Sequence, residues 1–360
     1  MKKNLFFALF ILLGFASCEK SDFNVNINLK NTDENTMVYL QKIVDNKAVM
    51  VDSAVFKDET AILTAPKDDA QMLYFIKIKG MRGTMEFFPE NQDVTVVGDL
   101  NNPRDVEIFG GEAQTKYTEY RKGYEAFNSQ ISELYKQLEE AYHNNDTVTI
   151  QQLNEQGNAV MEQQTGFFDN FITKNADHFL SHYLLCSKKQ DYPLDELKKI
   201  VDGFTSEDPY TQDLRNYIAK QESLQVGRPL VDFTLKTAEG QEITLSEYIQ
   251  GNKLTLVDFW ASWCGPCRGE NPFVVAAYEK YHEKGFNVLG VSLDQDANAW
   301  QNAIEKDKLT WTQVRDVEGK AAEMYLIYYI PSNILIDENG IIIEKNLRGE
   351  QLEGALGSRL

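Results

Sequence analysis

Cys264 and Cys267, which stand three residues apart, are the strongest candidates for chemistry in this sequence of 360 residues. A structural zinc site would need a second cysteine pair or a close pair of histidines. The nearest histidine, His282, comes fifteen residues after Cys267 and has no second histidine close to it in the sequence. A purely structural disulfide between such neighbours would constrain little of the unfolded chain, because the loop that it closes is very small. Reversible redox chemistry is therefore the preferred interpretation of the pair.

The elements around the pair predict which sulfur reacts first. Residues 254–260 form a nearly continuous apolar run, typical of a strand buried on both faces, and a helix is predicted over about 266–284. Pro266 suits the first turn of that helix, where its missing N–H loses no hydrogen bond. Free N–H groups and the positive end of the helix dipole would stabilise a thiolate at Cys264. We therefore expect Cys264 to attack a disulfide and Cys267, one turn later, to resolve the mixed disulfide.

Asp258 is the third candidate, because it is an acidic residue within the apolar run 254–260. Burying a carboxylate is costly unless the group is paired, and such positions are often functional. The alternative is a carboxylate that serves only as a structural hydrogen-bond acceptor.

The same residues resemble the active-site segment of thioredoxins. Residues 256–267 place a Trp before the cysteine pair and Gly265 and Pro266 inside it. Pro272 follows where thioredoxins kink their active-site helix. Residues 330–332, Ile-Pro-Ser, precede a predicted strand and are placed like the cis-proline loop that faces the dithiol in this family.

The resemblance covers about residues 226–360 and is nearest to the exported, membrane-tethered reductases of the TlpA and ResA type. It implies an α/β thioredoxin-like fold, proton exchange between Asp258 and Cys267, and a cis bond before Pro331 that presents backbone to an extended substrate. Many tethered relatives have Asn in place of Asp258. Trp260 and Trp263 are expected to flank the dithiol, one packing and one lining the approach. The residues expected to contact substrate are Trp263, Gly265, Pro266 and Ile330.

The start of the chain has the pattern of an export signal. Lys2 and Lys3 precede an apolar run at residues 5–15, which is too short to span about 30 Å of hydrocarbon. Residues 14–18, Gly-Phe-Ala-Ser-Cys, resemble a bacterial lipobox, although Leu is usual where this chain has Phe15. We expect a lipoprotein signal peptide at 1–17 and lipidation of Cys18; the alternative is a plain signal peptide.

Two further regions separate the signal from the α/β domain. Residues 18–111 contain seven or eight short alternating runs, which predict a β-rich sandwich or small barrel that serves for recognition or packing. Residues 112–225 are predicted to be helical, with an aromatic stripe that we interpret as core rather than as a ligand box. His178 and His182 could share a helix face as metal ligands, but no carboxylate lies near them in a suitable register, and we expect no metal. Cys186 is expected to be a buried apolar residue.

Regular elements are also predicted across the α/β domain at 226–360. A hairpin is expected around residues 233–245, with Ser246 capping a short helix. Further elements are expected in alternation, typical of an α/β sheet. They are strands at 288–293, 333–336 and 341–345, and helices at about 298–307 and 320–326.

Composition excludes other classes of function. The chain is globular, with 42% hydrophobic residues, and its 36 Lys and Arg against 55 Asp and Glu leave a net charge of -19. Such an acidic chain is poorly suited to bind nucleic acid.

The leading hypothesis is an envelope thiol-disulfide oxidoreductase, lipid-anchored at Cys18 and facing the periplasm, which reduces or isomerises disulfides of exported proteins. Its electrons would come from a membrane donor, and its redox-active disulfide would need no other cofactor. Dimerisation along the aromatic helix and exposure at the cell surface are open alternatives.

A peroxidase of the peroxiredoxin type is the second hypothesis, raised by the resemblance of residues 226–260 to that superfamily. It is disfavoured because Ala261 stands where peroxiredoxins place a Thr. A non-catalytic binding lipoprotein is the third.

The lipoprotein hypothesis predicts the effect of replacing Cys18. Cys18→Ser should remove the acylated residue and leave a soluble or unprocessed protein in the producing bacterium. Membrane fractionation and intact mass would measure this, with Cys186→Ser as the matched control. Unchanged fractionation and unchanged mass in Cys18→Ser would refute acylation at this residue.

Overall fold

The computed structural model describes residues 22–44, 47–67 and 72–360. The predicted signal peptide at 1–17 and the predicted lipidation site Cys18 lie outside the described residues. The chain forms two compact units, of which the first ends at Leu214 and the second is Arg215–Leu360. No helix within the described ranges combines the length and the apolar character that a membrane span requires.

The described part of the first unit contains eight strands in two four-stranded sheets before its helices, as the alternating runs predicted. One sheet has the order β4, β1, β7, β8 and the other β3, β2, β5, β6. The strands are β1 (Phe23–Lys30), β2 (Met37–Val44), β3 (Lys47–Val55), β4 (Thr60–Ala65), β5 (Tyr74–Ile78), β6 (Met85–Phe87), β7 (Val94–Asp99) and β8 (Glu107–Phe109).

A single apolar core joins the two sheets into a sandwich. On β1 the side chains alternate, so that Phe23, Val25 and Ile27 are buried and the intervening residues are more exposed. Buried residues of the second sheet, such as Leu40 and Ile76, belong to the same cluster. The β-rich domain expected from the sequence is thereby confirmed.

Five helices follow, in close agreement with the predicted helical region. Tyr117 and Tyr120 on the first helix are buried, and Tyr120 packs against Phe167 and Phe171 of the second helix. This part of the aromatic stripe is core, as expected. The helices are α1 (Glu112–His143), α2 (Thr147–Lys174), α3 (Phe179–Lys188), α4 (Leu194–Asp202) and α5 (Pro209–Ser223).

The second unit is an α/β domain built on one mixed sheet of seven strands, in the order β10, β9, β13, β12, β11, β14, β15. The strands are β9 (Thr234–Lys236), β10 (Glu242–Thr244), β11 (Leu254–Trp260), β12 (Phe286–Ser292), β13 (Gln313–Arg315), β14 (Ser332–Asp337) and β15 (Ile342–Lys345). The helices are α6 (Leu245–Tyr248), α7 (Gly265–Tyr281), α8 (Ala297–Asp307), α9 (Lys320–Met324) and α10 (Glu350–Gly357).

Strand β11 lies inside this sheet, parallel to β12 and antiparallel to β14, and all seven of its residues are buried. Its side chains alternate between two apolar cores. Leu256 and Trp260 join the core that contains both cysteines and residues of α7, whereas Val257 and Phe259 join the core on the opposite face. Asp258 shares the face of Leu256 and Trp260, because side chains two residues apart on a strand point the same way.

The sequence misplaced or missed some elements of this unit. Ser246 does not cap α6 as we expected; the N-cap residue is Thr244, and the carboxylate of Asp232 accepts hydrogen bonds from the Ser246 N–H and hydroxyl. The prediction was wrong because the capping group comes from fourteen residues earlier in the chain. Strand β13 was not predicted, since three residues are too few to show alternation. Helix α10 was also not predicted.

Candidate active site

Cys264 and Cys267 form a disulfide at the start of α7. Cys264 is the N-cap residue of this helix, and its Sγ accepts a hydrogen bond from the Cys267 backbone N–H at 3.2 Å. Pro266 lies in the first turn and Pro272 inside the helix. The predicted placement of the cysteine pair at a helix N-terminus is therefore observed, and the Cys267 N–H in the first turn faces the sulfur of Cys264.

The turn that carries the cysteines is anchored by two acidic residues outside it. Asp294 accepts hydrogen bonds from the Ser262 N–H at 2.8 Å and from its hydroxyl at 2.6 Å. Asp307, at the end of α8, pairs with Arg268 and accepts a bond from the Asn271 amide at 2.6 Å. These contacts fix the residues immediately before and after the disulfide.

The loop before β14 lies against the same sulfur. The Ile330–Pro331 peptide bond is cis, and the Ile330 carbonyl oxygen lies 3.7 Å from the Sγ of Cys264. The Arg348 guanidinium donates a hydrogen bond to the Pro331 carbonyl and a second, at 2.8 Å, to the Leu347 carbonyl. The structure thus brings together the cysteine pair and the proline loop that the sequence selected.

Asp258 lies inside the sheet, opposite Gly290 of β12 and Asn333 of β14, and is only 7% exposed. Its burial raises the pKa of the carboxyl from an ordinary value of 3.8 to about 7. The positive charge of Arg348 lowers this pKa and the negative charge of Glu270 raises it, but burial is the largest cause. A carboxyl with a pKa near neutrality can release and take up a proton under ordinary conditions.

A short segment at residues 346–349 connects these parts. The Asn333 side chain forms a pair of hydrogen bonds with the backbone of Leu347, both 2.9 Å long. The next residue is Arg348, which holds Pro331, and the N–H of Gly349 then donates to the Glu270 carboxylate at 3.0 Å. Sequence reasoning did not select Asn333 or Arg348, because neither belongs to a recognisable motif.

Two tryptophans near the pair have different environments. Trp260 is buried, and its indole N–H donates to the Gln313 side chain at 3.1 Å. Trp263 is 66% exposed beside Cys264, and Gly265 and Pro266 are exposed as well. Tyr329, next to Ile330, is 77% exposed and was not selected from the sequence. The surface that surrounds the disulfide is therefore partly aromatic.

The remaining candidates, His178, His182 and Cys186, form hydrogen bonds within the first unit. Both ring nitrogens of the buried His182 lie near acceptors, Asp208 Oδ2 at 2.6 Å and the Ala176 carbonyl at 3.0 Å, while His178 caps α3. Burial raises the pKa of the Cys186 thiol, which is half-buried. Over the part of the chain that the structure describes, no group of three His, Cys, Asp or Glu is arranged to hold a metal ion.

Two family models match the chain. Residues 226–345 match the AhpC/TSA family, and residues 23–117 match a domain of unknown function, DUF4369.

Among curated proteins, a thiol-disulfide oxidoreductase ResA of Bacillus cereus is 31% identical over 145 residues. These residues are 39% of this chain and 83% of that protein. ResA of Geobacillus kaustophilus is 30% identical over 146 residues, which are 40% of this chain and 83% of that protein.

Solved structures give similar matches. The thioredoxin domain of a thiol-disulfide oxidoreductase from Bacteroides vulgatus is 34% identical, with 37% of this chain and 96% of that chain covered and a TM-score of 0.35. A thiol-disulfide oxidoreductase from Bacteroides fragilis is 35% identical, with 37% and 100% covered and a TM-score of 0.35.

The raised pKa of Asp258 predicts a pH-dependent stability of the second unit. Between pH 3.8 and about 7 the folded protein holds a proton at Asp258 that the unfolded chain has released, so stability falls as pH rises through this window. Asp258→Asn should be more stable than the native protein at pH 8 by up to about 4 kcal/mol, and the difference should vanish near pH 4. Urea unfolding of the oxidised full chain would measure this by tryptophan fluorescence, since all four tryptophans lie in this unit. A constant difference across pH would contradict it.

The opposite signs of the two neighbouring charges predict opposite effects of their removal. Arg348→Gln should raise the pKa of Asp258 above about 7, and Glu270→Gln should lower it. Carboxyl ¹³C NMR titration of Asp-labelled protein would measure both shifts. Arg359→Gln is the matched control, because Arg359 pairs with Glu344 instead. Shifts of the same sign in the two variants, or none, would refute this electrostatic account.

Proposed function

Through its C-terminal domain the chain belongs to the thiol-disulfide oxidoreductase family of the ResA type, and we propose that it reduces protein disulfides with the Cys264 and Cys267 dithiol. The observation that carries this proposal is the position of Cys264 Sγ, which caps α7 and accepts the Cys267 N–H. The same N–H group and the helix dipole would stabilise a thiolate at that sulfur in the reduced protein.

In the first step, the Cys264 thiolate attacks one sulfur of the substrate disulfide. A Cys264–substrate disulfide forms, the substrate disulfide breaks, and the second substrate sulfur leaves as a thiolate that takes up a proton. The carbonyl of Ile330 lies 3.7 Å from Cys264 Sγ, which supports a role of the proline loop in contact with an extended substrate. The exposed ring of Trp263 supports a role in contact with that substrate.

In the second step, Cys267 attacks the Sγ of Cys264. The Cys264–Cys267 disulfide forms, the mixed disulfide breaks, and the remaining substrate sulfur leaves reduced. The substrate has then gained two electrons and the protein has lost two, which gives the disulfide form that the structure describes. Cys267 must lose a proton to attack, and Asp258 is our candidate to receive it. The carboxyl lies on the face of β11 that packs against the core containing Cys267, and its pKa of about 7 lets it accept a proton near neutral pH.

We further propose the cellular setting. The substrates would be exported proteins, and an envelope electron donor of the thiol class would return the dithiol to its reduced form. Lipidation of Cys18 would tether the protein at the membrane on the periplasmic side. The β-rich and helical regions, divided as 18–111 and 112–225, would select clients or hold the 226–360 domain away from the membrane. Dimerisation along the aromatic face of α1 belongs to the same proposal.

The alternative function is that of a thiol peroxidase, which is compatible with the match to the AhpC/TSA family. We do not favour it, because Ala261 is buried three residues before Cys264 and supplies no hydroxyl group for a peroxide. A merely binding protein is disfavoured as well, since it would not need two sulfurs placed for exchange at a helix N-terminus.

Single substitutions in the full chain should separate the two sulfur roles. With dithiothreitol as reductant and insulin as substrate, Cys264→Ser should lower turnover by at least about 100-fold, because no sulfur remains to form the covalent intermediate. Cys267→Ser should instead accumulate a mixed disulfide, which mass spectrometry would detect. Cys186→Ser is the control and should turn over normally. Undiminished turnover of Cys264→Ser would overturn the proposed function.

A further inference from the structure

Arg348 is a half-buried cation that contacts the proline loop and that neither step of the proposed reaction uses. One nitrogen of its guanidinium donates to the Pro331 carbonyl, and the other donates to the Leu347 carbonyl at 2.8 Å. A guanidinium is planar and presents its donors in a fixed fork, so bonds from two nitrogens hold it in one orientation. Arg348 is therefore anchored at its charged end.

The backbone that carries Arg348 is fixed on both sides. Before it, the Asn333 side chain bonds both the N–H and the carbonyl of Leu347, and Asn333 is only 4% exposed. After it, the Gly349 N–H donates to Glu270 of α7 at 3.0 Å. Gly349 has a φ of 49°, in the left-handed region that favours glycine. The position of Arg348 is thus set by β14, which follows the proline loop, and by α7, which carries the cysteine pair.

The proline loop depends on side-chain donors because it lies outside the sheet. The pairing of β14 with β11 ends at Ser332 and Phe259, and Pro331 has no N–H to donate. The Pro331 carbonyl accepts from Arg348, and the Tyr329 carbonyl accepts from the Ser332 hydroxyl at 2.7 Å. Of these two donors, Arg348 is the one that ties the loop to a distant part of the chain.

The peptide unit that Arg348 holds adjoins the one that faces the disulfide. The Ile330 carbonyl lies 3.7 Å from the Sγ of Cys264, and Pro331 follows directly. An extended polypeptide can bind such an open stretch of backbone through hydrogen bonds of its own main chain. A displacement of about 1 Å in the position of a substrate can cost about 100-fold in rate. The reaction of a polypeptide should therefore be sensitive to the position of this loop.

We propose that Arg348 is a positioning residue of the reaction, which holds the proline loop where the main chain of a polypeptide disulfide binds beside Cys264. The proposal rests on the proposed function for the nature of the substrate. It predicts that Arg348 matters much more for a disulfide within a polypeptide than for a disulfide that has no peptide backbone.

The test compares two oxidants of the reduced full chain at pH 7. Insulin is the polypeptide disulfide, and hydroxyethyl disulfide is an uncharged disulfide without a peptide backbone. Both are attacked by Cys264 and then resolved by Cys267, so a change in the sulfur chemistry itself slows both reactions. Stopped-flow tryptophan fluorescence would give the two second-order rate constants, because Trp263 adjoins Cys264 and neither oxidant contains tryptophan.

The measured quantity is the ratio of the insulin rate constant to the hydroxyethyl disulfide rate constant. Arg348→Gln should lower this ratio by at least about 10-fold, as the loss of a hydrogen bond from a charged group can. Arg348→Lys keeps the charge but not the fork, and it should show a smaller loss of the same kind. Arg359→Gln, which removes an arginine that pairs with Glu344, is the matched control and should leave the ratio unchanged.

The charge of Arg348 also acts on Asp258, and this effect must be separated from the position of the loop. In an Asp258→Asn background no carboxyl remains for the charge to act on, so the loss of ratio caused by Arg348→Gln should persist. An unchanged ratio in Arg348→Gln would overturn the proposal. A loss that disappears in the Asp258→Asn background would overturn it as well, because the effect would then act through the carboxyl.

A second measurement needs no substrate and separates this proposal from the proposed function. In the oxidised full chain with ¹³C-labelled isoleucine methyl groups, Arg348→Gln should move the Ile330 signal, which Ile330→Val assigns, and Arg359→Gln should not. A native chain that reduces no insulin would overturn the proposed function, and the Ile330 signal would still decide whether Arg348 anchors the loop. Reduction of insulin at equal rates by the native chain and Arg348→Gln would overturn the positioning role alone.

Discussion

The hydrogen bond from the Cys267 N–H to the Sγ of Cys264 ties the sulfur that we propose as the nucleophile to the first turn of α7. The surrounding structure keeps this turn in place from both sides. Strand β11, buried along its whole length, delivers the chain to the turn, and Asp294 and Asp307 anchor Ser262 before the disulfide and Arg268 after it. A thiolate in this position would interact with the Cys267 N–H, which is already oriented and needs no reorganisation when the charge develops.

The segment at residues 346–349 contains Arg348 and contacts Glu270, and these two charged residues act on the pKa of Asp258. It positions Arg348 against the proline loop and Gly349 against Glu270, so one short stretch of backbone contacts both the proline loop and the charges that act on Asp258. Burial alone would strongly favour the neutral form of the Asp258 carboxyl group. The opposing charges of Arg348 and Glu270 adjust that preference, and the resulting pKa near 7 suits a group that exchanges protons with a thiol.

How much of this could be predicted from the sequence depended on whether the signal was local. The β11 run and the cysteine pair at a helix start are carried by contiguous residues, so their placement was predicted correctly, whereas the position of Pro331 near the pair followed only from the family resemblance. Contacts between distant residues were not predicted. The Asn333 side chain bonds the backbone of Leu347, fourteen positions later, and the Gly349 N–H bonds the Glu270 carboxylate, seventy-nine positions earlier. The error at Ser246 has the same origin, because the capping carboxylate of Asp232 comes from another part of the chain.

The central claim is that Cys264, and not Cys267, is the nucleophilic sulfur. The most direct measurement is to treat the reduced full chain at pH 7 with less than one equivalent of iodoacetamide and to locate the added group by peptide mass spectrometry. The account predicts that the label appears on Cys264 before Cys267. Cys186, whose thiol pKa is raised by burial, should remain unmodified and serves as the internal comparison. Preferential labelling of Cys267, or equal labelling of Cys186, Cys264 and Cys267, would contradict the account.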